Sequence, residues 1–155
     1  MTLEAEKQAL FEKIDYVRDR ISELIDGVDP NLVIHSASGW RLCDLLAHIT
    51  SWQREAVAAG LAHVAGQPEI PRQNVMAFNE ASYKQWQSLS QQQIYADWLS
   101  VYEELKDVVR RAPAETWQEE FVYSWGQQGT LATLVRSILS HDAEHVAEIQ
   151  RALNE

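Results

Sequence analysis

The sequence predicts an all-α protein, an antiparallel four-helix bundle whose third helical region is interrupted near Ser90. Three observations carry that expectation. Four long segments repeat apolar residues at helical spacing. Glycines, prolines and capping residues separate those segments. Strand character is confined to one short stretch, FVYSW at 121–125. With 155 residues, 46% of them apolar, the chain suffices for one domain, 1–155, with a buried core.

The first helix runs from about Leu3 to Ile25, its face marked by Leu10, Ile14, Val17, Ile21, Leu24 and Ile25. It stops at DGVDP, where Gly27 and Pro30 break the period. The second runs from about Arg41 to Ala65 with Leu42, Leu45, Leu46, Ile49 and Ala56 as its stripe, and GQPEIP then makes a loop. The third region starts near Asn74 and breaks at SLSQQQ. Ser90 with Gln93 has the form of a capping box, so a fresh helix starts there. It carries Ile94, Trp98, Val101, Leu105 and Val108 and ends before Pro113. The stretch ETWQEEFVYSWGQQG reads as a long connection. Thr130 caps a last helix that runs to about Leu153.

Charge and cysteine content narrow the function. Against 13 basic residues stand 23 acidic ones, a net charge of −10. Such a chain repels nucleic-acid backbones and anionic membranes, so neither is an expected partner. One cysteine, Cys43, excludes an intrachain disulfide. It sits in the first turn of the second helix, where a small buried thiol is the ordinary reading and a nucleophile the alternative. No basic, apolar leader and no membrane-length apolar run is present, which points to a cytoplasmic protein. Six tryptophans in a small bundle leave an apolar face to cover, so a homodimer is expected.

The chemistry concentrates in SHDAEHVAEI, 140–149, which holds two histidines four residues apart. On a helix, His141 and His145 stack one turn apart. His145 falls within the apolar stripe of Leu131, Leu134, Val135, Ile138 and Ile149, and His141 lies at its edge. Inward-facing imidazoles without partners cost about 1–3 kcal/mol for each unsatisfied nitrogen. Either bundle neighbours hydrogen-bond them or they share a cation. His48, on the flank of the second helix beside Leu45 and Trp52, is the candidate third ligand. His35, in the loop after Pro30, and His63, at a helix end, are weaker candidates. HDAEH also fits the H-x-x-E-H protease pattern, but that class takes a third carboxylate much further along the chain and is not a helical bundle. Glu144 points outward, as a solvated charge. Asp142 points to the core and either orients a ligand imidazole or pairs with Arg18 or Arg20.

Taken together, GWRLCDLLAHITSW, FNEA and GTLATLVRSILSHDAEHVAEI resemble, in order and spacing, the DinB-like superfamily of four-helix bundles. That resemblance implies a metal-binding triad of His48, His141 and His145. It also implies kinship with thiol-dependent transferases and isomerases that use bacillithiol, mycothiol or glutathione. Related bundles of the colibactin self-resistance type share the helices and the Asn-Glu element but can lack the histidines. Members often carry Ser or Thr after the tryptophan as helix cap. Arg41 stands there instead, which moves the expected cap to Ser38.

Three neutral imidazoles leave coordination positions open, the arrangement of a catalytic site, and suit Zn²⁺ or Ni²⁺. The expected function is therefore a metal-dependent, thiol-dependent transferase, or a hydrolase, acting on a small electrophile. A low-molecular-weight thiol would be the co-substrate, and Trp52, Asn79 and Trp125 candidate pocket-lining residues. The alternative is a bundle that binds or sequesters a small molecule, its metal structural or incidental.

Overall fold

Local capping sets each long helix. In the computed structural model, which describes residues 1–155, α1 (Leu3–Ile25) begins where the Thr2 hydroxyl accepts the Ala5 N–H. Helix α2 (Leu42–Val64) follows a small hairpin of β1 (Val33–His35) and β2 (Trp40–Arg41), which pair antiparallel. Asn74 caps α3 (Val75–Trp86), and Ser90 caps α4 (Gln91–Arg111) by accepting the Gln93 N–H. The break near Ser90 is therefore real, but only half of the capping box forms. The Gln93 amide reaches forward to Asp97 instead of back to the cap. A single turn, α5 (Ala114–Trp117), precedes a second hairpin of β3 (Phe121–Val122) and β4 (Gln128–Gly129). Thr130 then caps α6 (Leu131–Leu153).

Helices α1, α2, α4 and α6 form the bundle in the neighbour order α1–α4–α2–α6, so α1 and α2 lie across a diagonal and barely touch. Helix α2 is apolar almost all round because it packs on α4 and α6 and is also covered by α3. Gly60 permits its closest approach to α4: a Cβ there would lie 2.7 Å from Val108 Cγ1. One continuous apolar core joins all four long helices, and Cys43 is buried in it, as a small hydrophobe.

Two expectations change. The first hairpin was not legible from strand propensity; the tight turn SASG supplies it, with Gly39 at φ 75°. The cap of α2 is Arg41, not Ser38. Asp44 makes that workable, its Oδ2 accepting both the Arg41 N–H and Nε–H at 3.0 Å. Burial alone would raise the Asp44 carboxyl, but those bonds and one from Trp86 hold it below its ordinary range. All six tryptophans are buried or half-buried, so they leave no exposed indole face of the kind that suggested a dimer.

Candidate metal centre

The N-terminal part of α2 faces the middle of α6, and this juxtaposition gathers the histidines. His48 comes from α2, and His141 and His145 from successive turns of α6. One ring nitrogen from each lies within 4.8 Å of the others. The Nε2 atoms of His141 and His145 are 3.2 Å apart. Two imidazoles on one tetrahedral zinc would sit about 3.4 Å apart, so the helical pair needs little adjustment to chelate. Ring centroids 5.2 and 5.0 Å from His48 put the third imidazole alongside both.

Burial and mutual repulsion keep His48 and His141 neutral. Loss of hydration, then the neighbouring imidazoles, drives His48 down to about 3. The same two causes bring His141 to about 4. Neutral imidazole is the form that donates a lone pair to a metal. His145 is further fixed by its partner. The Glu148 carboxylate lies 2.7 Å from His145 Nδ1, so that nitrogen carries the proton and Nε2 is left as a lone pair toward the cluster. Glu148 also accepts from His35 Nε2 at 2.9 Å. Burial alone would raise the Glu148 carboxyl, but the His145 and His35 contacts outweigh it and hold it low.

His141 is backed differently. Its Nδ1 is buried without a partner, and 3.9 Å away the Asp142 Oδ1 is buried and unpartnered too. The expected hydrogen bond from a ligand imidazole to Asp142 is thus not made, nor is a pairing with Arg20 or with Arg18, which binds Asp15, Asp19 and Glu103. Instead Asp142 Oδ2 accepts from Gln53 at 2.7 Å and from the Tyr102 hydroxyl at 2.9 Å. Full burial pushes Asp142 up to about 7 despite those two bonds. The two orphaned atoms fit a metal-binding tautomer. With Nε2 committed to an ion, His141 carries its proton on Nδ1, facing Asp142. The donor set and these orphans together fit one divalent ion.

A cavity of about 320 Å³ opens beside the imidazoles, lined by Trp52, Asn79 and Trp125 as well as Gln127, Ser137 and Glu144. Trp52 Nε1–H donates to Asn79 Oδ1 at 2.8 Å, which leaves the Asn79 amide donors unused by that bond. Trp125 donates to Gln127, whose amide in turn donates to Ser137. Glu144 is exposed, as its helical phase predicts, yet it forms part of this wall and is not merely a solvated charge. His35, set aside as a loop residue, stacks on Trp40, with ring centroids 6.2 Å apart, and reaches the site through Glu148. His63 lies apart, against Phe121. The i, i+3 spacing of His145 and Glu148 was the one readable signal for this second layer.

A bundle that presents one histidine from its second long helix and an H-x-x-x-H pair from its last defines the DinB-like class. Within that class the chain belongs to the mycothiol maleylpyruvate isomerase N-terminal domain family, whose model matches residues 15–151. A solved structure of the mycothiol-dependent maleylpyruvate isomerase superposes with a TM-score of 0.77 over 96% of this chain. The match covers 61% of that protein's length at 14% identity, so the likeness is one of fold. No curated protein matches the chain.

Proposed function

We propose that this protein is a metal-dependent enzyme that activates a low-molecular-weight thiol against a small electrophile, as a transferase or isomerase. The observation that carries this is the convergence of His48, His141 and His145 at the wall of an open cavity large enough for a small organic molecule. Bound there, a divalent ion such as Zn²⁺ or Ni²⁺ would lower the pKa of a coordinated thiol and supply a thiolate at neutral pH. The protein's own contribution is positional. Glu148 fixes the His145 tautomer, burial keeps His48 and His141 unprotonated, and Trp40 packs edge-on against His48 at 5.3 Å. Asn79 and Ser137 present polar atoms where a substrate carbonyl or hydroxyl would lie.

The matched family and the solved mycothiol-dependent relative support a thiol co-substrate, mycothiol being the first to try. No helix is long and apolar enough to cross a membrane. The test is thiol consumption by zinc- or nickel-loaded protein with mycothiol, bacillithiol and glutathione against a panel of electrophiles. Turnover that needs the ion and disappears in His145→Ala supports the enzyme. Tight electrophile binding with no thiol consumption by any of the three would replace it with a sequestering role.

A further inference from the structure

A second cavity lies between α2, α3 and α4, apart from the histidines. Its volume is about 290 Å³, close to the lower bound of the roughly 300–1,000 Å³ typical of small-molecule sites. Helical phase creates it. On α2, His48 and Trp52 face the metal centre, while Ala47, Ser51, Arg54 and Ala58 share the neighbouring face. On α3, Asn79 serves the first cavity, and Phe78, Ser82 and Trp86 serve the second. The two cavities share no lining residue. Each gives one ring to the contact of Trp52 with Phe78, whose centroids are 4.4 Å apart.

The floor of the second cavity is apolar, made by the buried Ala47, Trp86 and Ile94. Its charges come as a loose pair. Arg54 Nη2 lies 3.5 Å from Asp97 Oδ1, long for a hydrogen bond, and Gln93 donates to the same oxygen at 2.8 Å. Neither contact engages Asp97 Oδ2, and Arg54 Nε and Nη1 take no part in the pair. Thr50 and Ser51 direct their hydroxyl protons to the Leu46 and Ala47 carbonyls, so their oxygens remain acceptors. A cation and an anion with open valences therefore stand side by side over an apolar floor. A singly charged ligand would engage one of them and crowd the other. The amino and carboxylate groups of an α-amino acid share one carbon and can pair with both at once.

We propose that this cavity is a binding site for a free α-amino acid with an apolar side chain. The ligand's carboxylate meets Arg54, its ammonium meets Asp97 and the Thr50 and Ser51 oxygens, and its side chain rests on Ala47, Trp86 and Ile94. The proposal stands apart from the enzymatic reading of the histidine cavity, and its test involves no turnover.

L-Leucine, isopentylamine and isocaproate share one side chain and carry, in turn, both charges, the cation alone and the anion alone. The full chain is titrated with each at neutral pH in the presence of a chelator, which removes any ion that leucine itself would bind. The Ile94 methyl and Trp86 indole N–H resonances report on this cavity, and the Trp52 and Trp125 indoles report on the other. Leucine should bind about fivefold more tightly than either analogue, since each analogue forgoes one partly exposed ion pair. Arg54→Gln should bring leucine down to the level of isopentylamine, and Asp97→Asn to the level of isocaproate. Any of four results overturns the proposal: either analogue binding as tightly as leucine, leucine affinity unchanged in Arg54→Gln, leucine shifting Trp52 and Trp125 but not Ile94, or no shift at all up to the solubility of leucine.

Discussion

His141 and His145 share a helix and lie one turn apart, yet their outer nitrogens meet opposite surroundings. His145 donates its Nδ1–H to Glu148, a partly exposed carboxylate that His35 also holds. His141 turns its Nδ1 toward Asp142, wholly buried and already committed to Tyr102 and Gln53, and the two fail to meet by about an ångström. One carboxylate is tied to the site and open to water, whereas the other is tied to the core. The contrast separates two jobs that a single acid often combines: Glu148 orients a ligand, and Asp142 joins the helices behind it.

The largest effect should come from breaking the core side. Asp142→Ala strands two buried donors, the Tyr102 hydroxyl and the Gln53 amide, at about 1–3 kcal/mol each. A loss of about 4 kcal/mol in urea unfolding of the metal-free chain is expected. Asp142→Asn keeps an acceptor of the same shape and should cost under about 1 kcal/mol. If both variants cost the same, the charge and not the hydrogen bonding is what matters there.

Acid comes next. His48 and His141 lie at about 3 and about 4 in the folded chain, below the ordinary value near 6.5. As pH falls below 6.5 the unfolded chain therefore binds two protons that the folded chain refuses. The stability held by neutral burial is present above 6.5 and drains away toward 4. Asp142 works in the other direction. Its folded value of about 7 lies above the ordinary 3.8, so below 7 the folded chain is the better proton binder at that carboxyl. The net excess is about one proton, so chelated protein should lose about 1.4 kcal/mol per pH unit between 6 and 4. Asp142→Asn removes the opposing group and should steepen that slope toward double. A flat stability profile over this range would contradict the burial of the two rings.

Breaking the solvent side should leave the fold nearly untouched and loosen the ion. Glu148→Ala is expected to weaken zinc binding by about 10–100-fold, with less than about 1 kcal/mol lost in the metal-free chain. His35→Gln, one bond further out, should cost a few-fold in affinity at most. Competition against a fluorescent chelator measures both. Equal affinity in wild type and Glu148→Ala would mean that His145 is oriented by packing alone.

The difference between the two sides also shows what could be read in advance. Helical period sufficed to bring His141, His145 and Asp142 to the inner face of α6 and His48 to the flank of α2, because a rigid 3.6-residue repeat fixes direction. The spacing of Trp52 from His48, again one turn, put it on the same wall. What the period cannot say is which loop arrives against a helix. His35 reaches Glu148 across 113 positions through a hairpin whose register depends on Gly39 and a bulge. Nor can it assign partners to a buried acid. Arg18 was the expected candidate, but its guanidinium pairs with Asp15, Asp19 and Glu103 instead, and the buried acid takes its bonds from Tyr102 and Gln53. Glu144 was placed correctly as exposed. That the exposed side there is the mouth of a cavity depends on Trp125, delivered by the second hairpin.

All of this turns on the three imidazoles sharing one ion. The direct measurement is metal content by elemental analysis of tag-free protein after equilibration with zinc or nickel and removal of excess, comparing wild type with the variant carrying His48→Ala, His141→Ala and His145→Ala. One equivalent per chain is expected in the wild type and none in the triple variant, with helix content by circular dichroism nearly unchanged. Stoichiometric metal retained by the folded triple variant, or none taken up by the wild type, would contradict the account.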